Sequence, residues 1–333
     1  MRILIDIVHM ADVNFYKESI KLLRSKGHEV IISVMNRGML PEVVKKELGK
    51  ATTIGDHSKG NLIGKSYSNI KRVNLLVKFI KNIKPDIVTS FSYYPAAAVY
   101  GNNIPSVIFH DDAEYKKQFR LCKLFAKKLI IPDFISAKGK NIRKYHSYKE
   151  WAYLNPKYFK PNESFIKKYH LKKNGYVVIR EIAPVSLNYN SNNKIDYHQI
   201  IELLKKRGLK VIVSLEDKSR AHQFKNCIIL KEPVKEFYSI LYHALALISS
   251  GDTMAREAAL LGVPTFYVGK REMQINKELV EKNFIKIIRN PDSLAKELEN
   301  LTVDQKEKLK GKMKRYTKLL DDPTSIITNE IIR

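Results

Sequence analysis

Cysteine is nearly absent: Cys122 and Cys227 are the only two thiols in 333 residues. Two thiols exclude a disulfide framework, and no CxxC spacing offers a zinc site. Fourteen glycines and twelve prolines are too few for a collagen-like or low-complexity chain. Long apolar runs are missing as well, none approaching the ~18 residues of a membrane span. Asp6 breaks the N-terminal apolar stretch, so residues 1–8 do not read as a signal peptide. Acidic residues are the last scarcity, 34 against 60 lysines and arginines, for a formal charge of +26. What remains is 44% apolar, enough for real cores, on a length that fits about two domains. The expected setting is the cytoplasm, with peripheral contact at the inner membrane face as a variant of it.

The positive excess favours anionic partners, whether nucleic acid, acidic lipid or a phosphorylated substrate. It is mostly lysine and spread along the chain. Runs such as Lys167–Lys173 and Lys306–Lys318 are short and mixed, the ordinary pattern of solvated helix faces. No recognition-helix signature, aromatic RNA-binding strand or zinc finger accompanies them, so nucleic acid is not expected as the main partner.

Two internal repeats set the architecture. Ser19–Val34 (SIKLLRSKGHEVIISV) aligns with Ile200–Leu215 (IIELLKKRGLKVIVSL). Each has apolar residues at helical spacing, a glycine where a helix ends, then a β-branched run. Lys84–Phe109 aligns likewise with His243–Val268, both reading as buried strand, polar turn, Ala-rich helix, small-residue break and x-Pro entry to a strand. Strands alternating with helices imply βαβ units and parallel sheets. The spacing predicts strands at Arg2–Val8, Glu29–Val34, Asp86–Ser90 and Ser106–His110 in a first Rossmann-like domain, residues 1–160. It predicts strands at Tyr176–Arg180, Lys210–Leu215, Ala246–Ser249 and Thr265–Val268 in a second, residues 170–320. A helix near 304–320 is expected to cross back onto the first domain.

In open α/β sheets, ligands lie beyond the carboxyl ends of the strands, where helix N-termini present N–H groups. Two such domains are expected to aim those ends at one interdomain cleft. Ser249-Ser250-Gly251-Asp252-Thr253 follows a predicted strand and opens a helix. Small residues there let backbone amides approach a diphosphate, although Asp252 or Thr253 serves equally well as a plain N-cap. Glu257, one turn on, is a surface carboxylate or an acceptor for ribose hydroxyls. Arg180, at the end of a strand, offers a phosphate clamp or an ion pair with Glu181.

The run SSGDTMAREAALLGVPTF (Ser249–Phe266) resembles the C-terminal-domain signature of GT-B-fold glycosyltransferases and of the related non-hydrolysing UDP-N-acetylglucosamine 2-epimerases. That resemblance implies that Ser250, Gly251, Asp252 and Thr253 cradle a nucleotide diphosphate and that Glu257 holds the ribose. It also marks a departure: where those families carry Gly-Gly, this chain has Asp252-Thr253, and an aspartate repels phosphate unless turned away. The stretch from Lys84 to Asp112 resembles the peptidoglycan glycosyltransferases that act on lipid-linked muramyl-pentapeptide. The whole chain is most similar to domain-of-unknown-function family 354 of the same superfamily, through IDIVHMADVNFYK (Ile5–Lys17), HSKGNLIGKS (His57–Ser66), YHSYKEWAYLNPKYFKP (Tyr145–Pro161) and YVVIR (Tyr176–Arg180). It implies a GT-B-like α/β fold, two Rossmann-like domains with parallel sheets facing a cleft.

Candidate chemistry follows from strand ends and from that likeness. His9 closes the first strand; related glycosyltransferases use this loop for the acceptor, so His9 is the candidate base, with a hydrogen-bonded structural histidine as the alternative. Asp12 is an N-cap or an acceptor-side residue. His110-Asp111-Asp112 ends another strand, and the epimerases place a catalytic acid at a similar point, which likens Asp112 to it. Their His-Arg-Arg-Glu segment is missing, however, the chain reading Val178-Ile179-Arg180-Glu181-Ile182-Ala183. The glycine-bearing loop His57–Lys65 lacks P-loop spacing and reads as an acceptor-side flap carrying Lys65, or as a plain surface loop. Ser92 and Tyr93 precede an Ala-rich helix whose N-terminus is a candidate anion site. Phe119–Ile130 reads as one basic amphipathic stretch, core-packed or docked on acidic lipid.

The expected function is transfer of a sugar from a nucleoside-diphosphate sugar to a glycan or lipid-linked acceptor. No cofactor and no metal are expected, the nucleotide sugar being a substrate. A nucleotide-sugar epimerase or hydrolase using Asp112 is the second reading. A non-catalytic binder of nucleotide sugar or nucleic acid is the third.

Overall fold

The computed structural model describes residues 1–58, 62–181, 197–231, 234 and 236–333. Lys59, Gly60 and Asn61 of the expected flap, and Ile182 and Ala183 after the Arg180 strand, lie outside them. The chain divides into two units. Unit 1 comprises Met1–Tyr158, Met273–Ile275 and Leu320–Arg333, and unit 2 comprises Phe159–Glu272 and Asn276–Leu319.

Unit 1 carries a seven-stranded sheet of β1 (Arg2–Ile7), β2 (Glu29–Asn36), β3 (Thr52–Asp56), β4 (Ile87–Ser90), β5 (Ser106–Phe109), β6 (Lys128–Pro132) and β7 (Ile142–Tyr145), in spatial order β3-β2-β1-β4-β5-β6-β7. Unit 2 carries six: β8 (Tyr176–Glu181), β9 (Lys210–Leu215), β10 (Ile228–Ile229), β11 (Ala246–Ser249), β12 (Thr265–Tyr267) and β13 (Ile285–Ile287), in order β10-β9-β8-β11-β12-β13. Among the described residues every pairing is parallel. The strand order therefore reverses once in each sheet, between β1 and β4 and between β8 and β11, and a crevice opens at such a point.

The sequence dictates this locally. Central strands such as β1 and β8 are mostly apolar because helices cover both faces of a parallel sheet. Leu4, Val88, Ile108 and Leu129 are buried in one core, and Val177, Ile179, Val213 and Ile248 in the other. The Met10–Ser25 helix buries Val13, Tyr16, Ile20 and Leu23 at helical spacing. Gly27 and Gly208, at φ +80° and +73°, end the matching helices of the two repeats, since a side chain disfavours that conformation.

One expected element divides. The stretch 119–130 is not a single amphipathic helix: the Lys116–Phe125 helix stops at Ala126, which is extended, and Lys128–Pro132 forms β6 between β5 and β7. Burial of Leu129, Ile130 and Ile131 on a central strand outweighs the helical pattern of charges upstream. At the C-terminus the Val303–Tyr316 helix stays with unit 2. There Lys306 is buried and donates to Asn174 Oδ1, the Tyr242 carbonyl and the Ala244 carbonyl. The Pro323–Ile332 helix belongs to unit 1, with Thr324 Oγ1 donating to the Ala152 carbonyl at 2.9 Å and Lys128 paired with Glu330.

Beneath the β1 end lies a buried ion pair. Asp6 and Arg72 are both at most 1% exposed, and the guanidinium forks onto the carboxylate at 2.7 and 3.0 Å. Ser33 Oγ on β2 adds a third hydrogen bond at 2.7 Å, and the Arg72 guanidinium lies over the Tyr94 ring. Gly55 is required here: a Cβ would stand 2.7 Å from Arg72 Cγ. We expect Arg72→Met to lower stability by about 3–5 kcal/mol, because it strands a buried carboxylate. Adding Asp6→Leu should recover most of the loss, which chemical denaturation of the two variants would read.

Candidate functional site

Each unit gathers its chemistry at its own strand-order reversal. In unit 1, His9 is the N-cap of the Met10–Ser25 helix, its Nδ1 accepting from the Ala11 N–H at 3.3 Å. Asp12 completes the cap from the other side, Oδ2 accepting the N–H groups of Val8 and His9 at 3.0 and 2.9 Å. The N-cap is therefore His9 and not Asp12, because the helix begins at Met10 and places Asp12 inside its first turn, while His9 is the hydrogen-bonded histidine that was the alternative to a base. Burial pushes the Asp12 carboxyl up to about 6, against the pull of those two N–H donors. The His9 ring keeps an exposed edge yet sits among crowded strand ends. That crowding, then the charges of Arg37 and Lys149, push it down to about 3. Solvent at the open edge screens part of this, and the direction leaves a neutral imidazole at pH 7. With Nδ1 accepting, the assigned hydrogen sits on Nε2.

The neighbouring β4 end adds Ser90, whose Oγ donates to the Asp6 carbonyl and accepts the Ser92 N–H at 3.1 Å. Tyr93 begins a helix of only five residues, Tyr94–Ala98, and packs its ring 4.4 Å from that of Tyr94. Ser92 Oγ accepts from Gln118 at 3.4 Å. Lys65 stands in the first turn of the Leu62–Ile83 helix. At the β5 end the adjacent carboxylates diverge: Asp111 is buried and paired with Lys149 Nζ at 2.9 Å, while Asp112 Oδ1 accepts the Tyr115 N–H at 3.0 Å. Among the described residues no three His, Cys, Asp or Glu side chains gather as a metal site. His110 is buried against Phe91 and Phe119, and burial pushes its ring toward the neutral form.

In unit 2, β11 ends at Ser249, whose hydroxyl accepts the Gly251 N–H at 3.0 Å and donates to the Gly251 carbonyl at 2.8 Å. The Ser250 N–H bonds the Arg180 carbonyl at 3.0 Å, tying this turn to the β8 end. The Asp252–Leu260 helix then begins with Gly251 as N-cap and no side chain capping it. Asp252 is buried and turned away from its helix N-terminus: Oδ2 lies 3.4 Å from Arg256 Nη1 and 3.6 Å from Arg271 Nη1. Arg256, 1% exposed, also donates to Asn276 Oδ1 at 2.9 Å and Thr253 Oγ1 at 3.3 Å. A carboxylate at the first turn is thereby outnumbered by two guanidiniums.

Arg180 pairs with Glu216 and Ser214, both at 2.6 Å, instead of with Glu181. Consecutive strand residues point to opposite faces, so Glu181 meets Arg220 and Tyr197 on the other side. Glu257 is not a surface carboxylate: it is 5% exposed and accepts from Tyr238 at 3.1 Å. Sequence reasoning missed Lys149, Arg256, Arg271 and Tyr238. The one available signal was the Asp252/Arg256 spacing of a helical ion pair; the others arrive from distant segments.

The model of the family described as "Protein of unknown function (DUF354)" matches residues 1–333. The uncharacterized protein MJ0665 of Methanocaldococcus jannaschii is 26% identical over 341 residues, covering 98% of this chain and 96% of that protein. Among solved structures, the chain is similar to UDP-GlcNAc 2-epimerase from Neisseria meningitidis bound to UDP-GlcNAc, with TM-score 0.69, 14% identity and coverage of 100% of this chain and 99% of that one. It is similar as well to the spinosyn forosaminyltransferase SpnP, with TM-score 0.70, 12% identity and coverage of 99% and 98%. At these identities the likeness establishes the fold, which is GT-B.

His9 should show a ring titration midpoint far below 6.5 in NMR spectra of the imidazole nitrogens. A midpoint at or above 6.5 would mean that the surrounding atoms and the Arg37 and Lys149 charges do not act on it. Because the folded ring binds its proton more weakly than the unfolded one, its contribution to stability is lost as pH falls below 6.5.

Proposed function

The chain belongs to the DUF354 family, and from that starting point we propose that it is a GT-B enzyme transferring a sugar from a nucleoside-diphosphate sugar to a hydroxyl acceptor. The observation that carries this reading is the Asp252–Leu260 helix: no side chain caps it, and its one acidic first-turn residue is drawn off by Arg256 and Arg271. A helix N-terminus in that condition favours an anion, through its amides and its dipole together. The amides of Thr253 and Met254 would receive the diphosphate, the Gly251 amide being engaged by Ser249. Ser250 would line the same turn. Glu257, at the next turn, would accept from the ribose hydroxyls once Tyr238 moves aside. Arg180 would act less as a direct clamp than as part of the wall, since Glu216 and Ser214 already occupy its fork.

Sugar transfer requires that charge building on the departing diphosphate be offset, and fixed N–H dipoles and guanidiniums do this without reorganising during the reaction. The acceptor hydroxyl must also lose a proton. His9 is the group we assign to it: its imidazole is neutral, as a base must be, and a ring held this far below 6.5 binds the proton weakly, so the transfer is completed only as the diphosphate departs. Nε2 carries the hydrogen while Nδ1 accepts from Ala11. Taking a proton at Nε2 therefore means moving that hydrogen to Nδ1 and giving up a long 3.3 Å bond, a loss on the order of 1 kcal/mol. Asp12 holds the loop that presents His9. Ser92, Tyr93 and Lys65 would border the acceptor, and a lipid-linked acceptor fits the basic, partly apolar helices of this unit. Among the described residues no helix is long and apolar enough to cross a membrane.

Thermal-shift screening against UDP-, GDP-, CDP- and dTDP-sugars should find at least one that stabilises the protein, by about 2.7 kcal/mol at a hundredfold excess over Kd. No response to any of them would reject the reading. Glu257→Gln should weaken a ribonucleotide by about tenfold and a 2′-deoxyribonucleotide, which keeps only the 3′-hydroxyl, by less, as loss of charge-assisted hydrogen bonds implies. Acceptor-dependent release of nucleotide, with no deuterium entering the sugar's second carbon in D₂O, marks transfer. Deuterium entry at that carbon would instead support the epimerase reading and the use of Asp112.

A further inference from the structure

We infer that unit 1 docks on an acidic lipid surface through a basic face built from the Lys116–Phe125 helix and the loop 138–141, with Leu124 and Tyr100 entering the headgroup layer. This goes beyond the sugar-transfer reading and does not depend on it.

The charge of this stretch is unlike that of the chain around it. Residues 115–145 hold ten lysines and arginines against a single acid, Asp133, whereas the whole chain holds 60 against 34. Among the described residues the ion pairs of this stretch are Lys128 with Glu330 and Asp133 with His146. Lys116, Lys117, Arg120, Lys123, Lys138 and Lys140 form none, and all six are exposed.

Helical spacing lines the cations up. Lys116, Arg120 and Lys123 stand at i, i+4 and i+7 on one line of the helix, and Lys117 and Leu124 share the line beside it. The opposite side packs Phe119, Leu121 and Phe125 against the unit 1 core and buries Cys122. Like charges at such spacings repel, and no residue of this helix is acidic. The fold thus bears a repulsion that an anion from outside relieves.

A second segment joins the same face. Asn141 Nδ2 donates to the Lys123 and Ala126 carbonyls at 2.8 and 2.9 Å, fastening the loop to the helix end. Gly139 packs against the Lys123 stem, whose Cε lies 2.9 Å from where a Cβ would stand. Lys138 and Lys140 flank that glycine and widen the basic face beyond the helix.

The apolar members decide which polyanion fits. Leu124 is 59% exposed and Tyr100 61%, and the Tyr100 ring stands edge-on to Phe125 at 5.2 Å. A bilayer offers acidic headgroups to the cations, an apolar layer beneath them to Leu124, and the level between to a tyrosine. A nucleic-acid backbone offers phosphates without that layer.

The test is co-sedimentation of the full chain with vesicles of equimolar phosphatidylcholine and phosphatidylglycerol, and with phosphatidylcholine alone. Binding should require the acidic lipid and weaken as salt rises. A triple variant, Lys117→Gln, Arg120→Gln and Lys123→Gln, should lower the partition coefficient about a hundredfold, each charge near such a surface counting for roughly fivefold. Removing as many charges from exposed positions of unit 2, by Lys308→Gln, Lys314→Gln and Lys318→Gln, should change it by less than about threefold, since charges beyond a Debye length are screened. That comparison separates docking by one face from the pull of the net charge. Leu124→Ser should cost about fivefold through lost apolar burial. Melting temperatures of the variants check that the fold is retained. No binding to the acidic vesicles, equal binding to the neutral ones, equal losses in the two triple variants, or an unaffected Leu124→Ser protein overturns the inference. So does a first triple variant that loses duplex DNA or RNA while keeping the vesicles, which would give the face to nucleic acid.

Discussion

A carboxylate in the first turn of a helix ordinarily bonds the helix's own N–H groups, and if Asp252 did so no anion would find a place there. Arg256 and Arg271 prevent it. One arginine comes from the same helix, four residues along, and the other from a loop more than a dozen residues away in sequence; together they turn the carboxylate inward and leave the local balance positive. Arg256 can do this at 1% exposure because its partners Asp252, Asn276 and Thr253 satisfy it; a buried guanidinium without them would be costly. An aspartate in the first turn is thereby accommodated without its side chain capping the helix.

Unit 1 solves a parallel problem at its own strand-order reversal. Its acids are each committed: Asp6 to Arg72, Asp12 to two backbone amides, Asp111 to Lys149, and Asp112 to the Tyr115 amide. Its histidines, His9 and His110, are both pushed toward the neutral form by burial. A neutral imidazole therefore stands at the β1 end, on a loop that two backbone hydrogen bonds to Asp12 hold still. The rigidity comes from below, where the Asp6–Arg72 fork and the Ser33 and Ser90 hydroxyls pin β1 to β2 and β4.

Much of the fold was legible before any coordinates. The eight strands predicted from the repeats all form, because a parallel strand covered on both faces must be a short apolar run and the chain offers few other such runs. The short strands β3, β6, β7, β10 and β13 were not anticipated. Strands of two to five residues, several at sheet edges and half exposed, carry too little pattern to be seen, and β6 was hidden behind the basic helix that precedes it. Glu257 and Arg180 illustrate the same limit at the site. Spacing placed Glu257 on a helix without revealing that Tyr238 covers it, and it suggested Glu181 as the partner of Arg180 although strand alternation sends the two to opposite faces.

The sequence by itself determined the α/β class, the two parallel sheets and the turn at 249–253, because hydrophobic period, glycine punctuation and small-residue turns are local properties that neighbouring residues impose on one another. Only the tertiary structure decided which charges meet. Lys149 reaches Asp111 across 38 positions, Arg72 reaches Asp6 across 66 and Arg271 reaches Asp252 across 19. An ion pair is set by distance in space and by the water excluded around it, and neither quantity is written in the spacing of residues along the chain.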